Sequence, residues 1–304
     1  KDENINKIKT KSFVLILEKI LSNDNYQKIK DDINLSFVNK FILNIKVKNE
    51  KIINNNYYSK IKINFNKDLI IDYFVENEIS YIDHTPDRFL LVIYDENHFE
   101  KNFLSKNNVY YQFLKNNKNK KFKEIFTLPN LDFNDRFIIN NNDLESDYLN
   151  KINLLGKKYN SKYIIFIHSK YVNNINNIFI YLITNDIRTL IGEKKIKKIN
   201  YNEILIRSYH LAVDKWKHLN HINTSVVNIL NCKININNIN ELKFVRNILL
   251  NNRIIKKFDL KSIMYNENIY NIIYYGNLDI FKKSLESYRL KILTLNNQCS
   301  IKLI

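Results

Sequence analysis

Asn238-Ile-Asn-Glu-Leu-Lys-Phe-Val-Arg-Asn-Ile-Leu-Leu250 carries the plainest structural signal in the chain. Asn238 and Glu241 have the spacing of a capping box, in which side chains bind the free N–H groups of a helix's first turn. The apolar residues that follow recur at helical spacing: Leu242, Val245, Ile248 and Leu249. The segment therefore predicts an amphipathic helix that begins after Asn238.

Strand-like segments flank this helix. Residues 226–236 precede it, and residues 254–265 and 269–275 follow it. Gly276 and Asn277 then open a second helix, and residues 290–304 read as one last strand. The order βαββαβ is that of a ferredoxin-like sandwich.

The rest of the chain reads as two further domains. We predict an N-terminal α+β domain over residues 1–100 and a middle α/β domain over 101–223 that ends in a long helix, followed by the ferredoxin-like domain over 224–304. In the first domain, strands at 42–48 and 57–65 flank an Asn-rich turn at 51–56. The predicted class is a multi-domain α+β protein.

The composition points to an A/T-rich genome and excludes several classes of protein. The 304 residues include 48 Lys and Arg, but only three Gly, two Pro and one Trp. Gly156, Gly192 and Gly276 are too far apart for a dinucleotide or Walker loop, which needs clustered glycines. No apolar run approaches the roughly 18 residues of a membrane-spanning helix.

The net charge of +17 is uneven along the chain. Residues 1–100 hold 15 basic and 16 acidic residues, 101–223 hold 21 and 10, and 224–304 hold 12 and 5. Codon bias alone would spread Lys evenly, so this division indicates a basic surface in the last two thirds. Such a surface serves a sequence-independent anionic partner or, as the simpler alternative, only keeps the protein in solution. Two clusters of lysines are the candidate surface for an anionic partner: Lys118, Lys120, Lys121, Lys123, Lys194, Lys195, Lys197 and Lys198.

A histidine stripe on the predicted helix 201–222 is a candidate metal site. It consists of His210, Asp214, His218 and His221. Because Leu205, Ala212 and Trp216 occupy the opposite, core-facing side, we interpret the stripe as a solvated helix face. No metal is assigned to it.

Three aspartates in the predicted loop 130–143 are the candidates for acid–base chemistry. Asp132, Asp135 and Asp143 lack the calcium-loop pattern, and turns and helix caps are the usual roles of Asp in such a loop. A hydrolase would need at least two of them to converge in a pocket. We assign no catalytic residue and no cofactor, and we interpret the protein as a non-enzyme.

Two cysteines fall on the first and last strands of the predicted sandwich. These strands are antiparallel neighbours in a βαββαβ fold, so Cys232 and Cys299 are candidates for a disulfide in an oxidising compartment. The alternative is a pair of buried free thiols. A Cα separation well above about 7 Å excludes the bond.

The same sandwich allows a nucleic-acid-binding alternative. RNA-binding members of this fold stack bases on aromatic side chains of the central strands. Residues 269–275 contain tyrosines but lack the glycines and the basic lead of that motif.

Several segments resemble a proteobacterial domain-of-unknown-function family, number 2066. They are Ile16-Leu-Glu-Lys-Ile-Leu-Ser-Asn-Asp-Asn-Tyr-Gln-Lys-Ile29, Tyr57-Tyr-Ser-Lys-Ile-Lys-Ile-Asn-Phe-Asn-Lys67, the helix with Trp216, and Tyr274-Tyr-Gly-Asn-Leu278. The resemblance implies an exported envelope protein with a signal peptide and no assigned activity. It carries no functional residue over to this chain.

These observations favour a periplasmic or envelope-associated binding or scaffolding module. The chain begins at Lys1 without Met, which fits either a cleaved signal peptide or a shortened chain. An anionic envelope component or another envelope protein is the expected partner. The alternative is a cytoplasmic protein that binds nucleic acid through the C-terminal sandwich.

Overall fold

A computed structural model describes residues 2–54, 56–97, 100–117, 120–145, 148–235, 238–264, 267–295 and 298–303. The chain forms two compact units. Unit 1 comprises residues 1–84 and 217–304, and unit 2 comprises residues 85–216. Helices and mixed sheets occur in both, which confirms the predicted multi-domain α+β class.

The described helices and strands follow one another in this order: α1 Asp2–Ile20, α2 Asn23–Ile29, α3 Leu35–Lys40, β1 Ile42–Ile53, β2 Asn56–Phe65, α4 Lys67–Glu76, β3 Phe89–Glu96, β4 Lys101–Phe103, α5 Val109–Asn116, α6 Lys120–Ile125, β5 Phe126–Thr127, α7 Phe133–Ile138, α8 Tyr148–Lys158, β6 Ile164–Val172, β7 Ile175–Thr184, β8 Ile187–Ile196, α9 Tyr201–Asn220, β9 Val227–Asn235, α10 Ile239–Asn251, β10 Ile255–Met264, β11 Glu267–Tyr275, α11 Leu278–Glu286, β12 Leu290–Leu295 and β13 Gln298–Leu303. Short 3₁₀ helices cover Lys30–Asp32 and Asn141–Glu145.

The two units replace the three consecutive domains that the sequence predicts. Residues 1–84 and 217–304 share one hydrophobic core, in which Phe13 and Phe74 belong to the same cluster as Ile234 and Phe281. Tyr81 and Ile222 join the two segments by a pair of backbone hydrogen bonds, of 2.7 and 3.3 Å. The predicted domain boundaries after residues 100 and 223 differ from those of the two units, because residues 1–84 and 217–304 bury their apolar faces against each other.

The C-terminal sheet of unit 1 has the strand order β10-β11-β9-β13-β12. Its first five elements, β9-α10-β10-β11-α11, match the predicted ferredoxin-like order. Leu290–Leu295 and Gln298–Leu303 form two antiparallel strands where one was expected over 290–304, and β13 lies between β12 and β9. As a result, the first and last strands are neighbours, as predicted, but they run parallel.

Asparagine side chains begin both helices of this sandwich. Asn238 accepts hydrogen bonds from the N–H groups of Asn240 and Glu241, at 3.0 and 2.9 Å. Asn277 accepts from the N–H of Ile280 at 2.9 Å. The helix predicted from the Asn238–Leu250 segment is confirmed as α10, because the capping signal acts within a few residues.

Strands β1 and β2 form a separate two-stranded sheet, which we call the ribbon. Both strands are longer than predicted: Lys51 and Ile52, expected in a turn, pair with Tyr58 and Tyr57. Asn54 takes a left-handed backbone, with φ of 49°, at the end of β1.

The base of the ribbon is fixed by aromatic packing. The Phe13 ring of α1 lies 5.2 Å from that of Phe41 and 5.3 Å from that of Phe65, between ring centroids. These two residues stand at the start of β1 and the end of β2. These rings therefore fix the end of the ribbon near Phe41 and Phe65. Most residues farther along the two strands are exposed.

Unit 2 is built on a sheet in the order β4-β3-β6-β7-β8, with β5 beside β3. Strands β3 and β6 are parallel, and β6, β7 and β8 form an antiparallel meander. One face packs against α8 through Ile152 and Leu155. On the opposite face of the sheet, Phe89 of β3 contacts Tyr209 of α9, with 6.0 Å between ring centroids. Helices thus cover the two faces of this sheet.

Candidate anion-binding surface

The eight predicted lysines fall on two segments of unit 2. Lys118 lies outside the described residues, and Lys120, Lys121 and Lys123 belong to α6. Lys194 and Lys195 end β8, and Lys197 and Lys198 follow it before α9. Among the members whose burial the structure describes, the exposed ones are Lys121, Lys123, Lys195, Lys197 and Lys198.

Helix α5 brings these two segments together. The Phe113 ring of α5 lies 6.3 Å from the Phe122 ring and 5.7 Å from the Tyr201 ring, between centroids. Phe122 stands between Lys121 and Lys123 in the sequence, and Tyr201 follows Lys198 by three residues. We call Lys121, Lys123, Lys197 and Lys198 the lysine surface.

Lys194 does not belong to this surface, because its ammonium forms an ion pair with the carboxylate of Glu203. Glu203 lies in the first turn of α9, where the helix dipole also favours an acidic side chain. The charge of Lys194 is therefore compensated within the fold.

Cys232 and Cys299 form a disulfide across two neighbouring strands of unit 1. They stand directly opposite each other on β9 and β13, and their Cα atoms are 4.5 Å apart, below the limit set by the sequence argument. Their exposed fractions are 0% and 5%. The predicted antiparallel arrangement is wrong because β13 is the return strand of a hairpin, which reverses its direction.

The loop aspartates have structural partners. Asp135 is fully buried and its carboxylate lies 2.6 Å from the ammonium of Lys158 and 2.9 Å from the hydroxyl of Tyr159. Asp132 caps α7 by accepting from the N–H of Asp135, which holds the pKa of the Asp132 carboxyl below its usual value. Lys158 also lies 3.5 Å from Asp132.

Asp143 has a separate set of contacts. Its carboxylate accepts from the ammonium of Lys151 at 2.5 Å and from the N–H of Asn140 at 2.9 Å. The hydrogen bond from Lys151 lowers the pKa of the Asp143 carboxyl. These contacts are those of a helix cap and a loop, which are the structural roles that the sequence predicted as usual for Asp in this segment.

The structure does not keep the histidine stripe on one helix: His210 and His218 lie on α9, whereas His221 follows its last residue, Asn220. His218 lies 3.6 Å from the carboxylate of Asp24, and the buried Trp216 and Ala212 occupy the opposite side of α9. In the part of the chain that the structure describes, no group of three or more His, Cys, Asp or Glu side chains is arranged to hold a metal ion.

Sequence reasoning missed a polar cluster at the carboxyl end of β3 and on the part of β6 that pairs with it. Such strand ends are the usual position of ligand sites in α/β sheets. The ring Nε2 of His168 lies 3.1 Å from Glu96, whose carboxylate is 3.6 Å from the ammonium of Lys170. The Tyr94 ring stacks on the His168 ring at 4.7 Å. The sequence did contain one signal for this cluster, a buried strand that ends in the two acidic residues Asp95 and Glu96.

The groups of this cluster titrate in different directions. Burial lowers the pKa of His168, although its hydrogen bond to Glu96 opposes this shift. Burial alone would raise the pKa of Glu96, but the hydrogen bond to His168 and the charge of Lys170 bring it below its ordinary value. Burial raises the pKa of Asp95, on the opposite face of the strand. The arrangement keeps His168 neutral and Glu96 charged near neutral pH.

No protein-family model and no curated protein matches this chain. Among solved structures, the chain is similar to the C-terminal domain of LpoB from Salmonella enterica, with 12% identity and a TM-score of 0.25. The match covers 43% of this chain and 94% of that domain. A TM-score this low supports no conclusion about shared fold or function. Within the described residues, no helix has the length and apolar character needed to cross a membrane.

Proposed function

We propose that this chain is an exported, envelope-associated binding module without enzymatic activity, whose lysine surface takes an anionic partner. The observation that carries the proposal is the buried Cys232–Cys299 pair. Disulfides persist in oxidising compartments such as the periplasm and are rare in the bacterial cytosol. The resemblance to family 2066 has the same implication and stays a prediction.

The lysine surface supports the binding role. Lys121, Lys123, Lys197 and Lys198 are exposed and lie on two segments that meet at Phe113. Lysine presents a hydrated point charge, in contrast to the bidentate fork of arginine, and this suits sequence-independent attraction to a polyanion. Such attraction weakens as salt screens it.

The nucleic-acid alternative loses its main support. Tyr270 and Tyr274 of β11, which would have to stack on bases, are buried. Their rings pack on Phe258 and Phe281 at centroid distances of 4.5 Å each. These tyrosines therefore belong to the core of unit 1.

The compartment is tested on the protein in its own cells. Alkylation of free thiols during lysis, followed by mass spectrometry, should leave Cys232 and Cys299 unlabelled until a reductant is added. Reduction of the purified chain should lower the free energy of unfolding by up to about 4 kcal/mol, because the bond closes a loop of 67 residues. Labelling of both cysteines without a reductant would remove the compartment argument.

The binding role is tested by chromatography on immobilised dextran sulfate, a generic polyanion. The quadruple variant Lys121→Gln/Lys123→Gln/Lys197→Gln/Lys198→Gln should elute at a lower salt concentration than the unmodified chain. The single variant Lys194→Gln should shift elution less than the single variant Lys197→Gln, because Glu203 already compensates the charge of Lys194. Equal elution of the quadruple variant and the unmodified chain contradicts the role of this surface.

A further inference from the structure

The ribbon carries lysines on one face in directly opposed pairs. Lys46 lies opposite Lys62, and Lys48 lies opposite Lys60. All four side chains are exposed. Since alternate residues of a strand share a face, the four ammonium groups lie on one side of the ribbon, about 7 Å apart along each strand.

This arrangement costs stability in the isolated protein. Like charges directly opposite each other on antiparallel strands repel. Among the described residues, no carboxylate forms an ion pair with any of these four lysines. A two-stranded ribbon is itself only marginally stable in water. An anion from outside the chain would relieve the repulsion.

We call the end of the ribbon beside the Asn-rich turn the tip, and it carries exposed apolar side chains on both strands. Ile52 and Ile53 are 77% and 53% exposed, and Tyr57 and Tyr58 on the other strand are also exposed. The tip lies about 36 Å along the strand from the base at Ile42, by the rise per residue of a β-strand. Exposed aliphatic side chains beside tyrosines and lysines are typical of segments that enter a membrane interface.

We infer that the ribbon docks on the surface of an anionic lipid bilayer. The lysine face lies against the lipid phosphates, each ammonium near the surface adding to the attraction. Tyr58 shares the lysine face because it is two residues from Lys60, and Ile53 shares it because its partner is Asn56, two residues beyond Tyr58 toward the tip. Ile53 enters the boundary of the hydrocarbon region, and Tyr58 lies at the level of the headgroups. The bilayer thereby relieves the repulsion between the opposed lysines and removes Ile53 from water.

The tip favours a bilayer over a polynucleotide. A two-stranded ribbon also fits a groove of DNA, but residues 42–65 contain no Arg, the main side chain of base readout. Aliphatic groups at the tip gain from hydrocarbon, whereas a phosphate backbone offers them nothing. This inference concerns unit 1 alone and depends neither on the lysine surface nor on the compartment.

The test uses the full chain and sedimentation with vesicles of phosphatidylcholine containing about one third phosphatidylglycerol. We expect binding that weakens with salt and that is lost with phosphatidylcholine alone. The variant Lys46→Gln/Lys48→Gln/Lys60→Gln/Lys62→Gln should bind about 600-fold more weakly, given about fivefold per lysine. Ile53→Ser should bind about tenfold more weakly, whereas Ile52→Ser, on the opposite face, should change binding less.

A matched control separates this inference from the proposed function. The quadruple Gln variant of the lysine surface removes the same number of charges from unit 2, and it should keep its vesicle binding while losing retention on dextran sulfate. The reverse pattern, in which the unit 2 variant loses vesicle binding and the ribbon variant keeps it, overturns the inference. Circular dichroism and thermal unfolding check that each variant folds.

Insertion of the tip is measured separately. In Ile53→Trp, the fluorescence of the new indole should shift to the blue when vesicles are added, while the buried Trp216 provides a constant background. An unchanged spectrum on bound vesicles overturns insertion. Binding to single-stranded DNA with none to the vesicles overturns the lipid assignment in favour of a polynucleotide.

Discussion

The ribbon of unit 1 and the Asp135–Lys158 cluster of unit 2 use lysine in opposite ways. In unit 2, the ammonium of Lys158 satisfies a carboxylate that is fully buried. In the ribbon, lysines face lysines, and no described carboxylate forms an ion pair with the four of them. Lys158 therefore stabilises unit 2, whereas repulsion among the four opposed lysines destabilises the ribbon. The ribbon lysines are for this reason the ones to examine for binding.

Among single substitutions, the largest expected effect lies in unit 2. Asp135→Asn removes the charge that Lys158 and Tyr159 bind, and breaking such a buried pair should lower the free energy of unfolding by about 3 kcal/mol. Chemical denaturation measures it. Asp132→Asn is the control, because Asn caps a helix as well as Asp does. Equal losses from the two variants would contradict a special role for Asp135.

The pH dependence of unit 2 should be the next largest effect. Since the folded-state pKa of His168 is lowered, the unfolded chain takes up a proton first, and stability falls as the pH drops below about 6.5. The lowered pKa of Glu96 acts in the same direction at lower pH, whereas the raised pKa of Asp95 acts in the opposite one.

His168→Gln should therefore flatten the decline in stability between pH 7 and 5.5. Hydrogen exchange of the β3 and β6 amides follows unit 2 specifically. An unchanged slope in the variant would show that His168 is not the group that responds.

The smallest effect is the most diagnostic for the ribbon. Lys48→Glu places opposite charges across the strands and should stabilise the ribbon by about 0.5 kcal/mol while weakening vesicle binding. Adding Lys60→Glu restores like charges and should abolish the gain. Hydrogen exchange of the ribbon amides measures both variants. A loss of stability in Lys48→Glu would mean that the lysines do not repel.

Local signals in the sequence predicted the parts of the fold that depend on neighbouring residues. The cap at Asn238 and the alternation of Lys60 and Lys62 with Ile61 and Ile63 both act within a few residues, and both hold in the structure. The length of the ribbon was missed because the Asn-rich segment allows a turn at several positions, and the position of the turn fixes which residues face each other.

In the candidate sites, too, only the features that depend on neighbouring residues were predicted. Sequence clusters located the lysines of α6 and β8, but the ion pair between Lys194 and Glu203 depends on how α9 packs beside the end of β8. The Glu96–His168 contact joins residues 72 positions apart. No local sequence pattern indicates that two residues so far apart along the chain are in contact.

The sequence by itself determined the total charge of +17, the helix caps and the presence of two cysteines. The tertiary structure decided how the charge is shared. Unit 1 holds 27 basic and 17 acidic residues, and unit 2 holds 21 and 14, giving +10 over 172 residues and +7 over 132. The uneven division along the chain disappears because the first 84 residues fold with the last 88. Register in the ribbon, which depends on strand pairing, then concentrates lysines on one face.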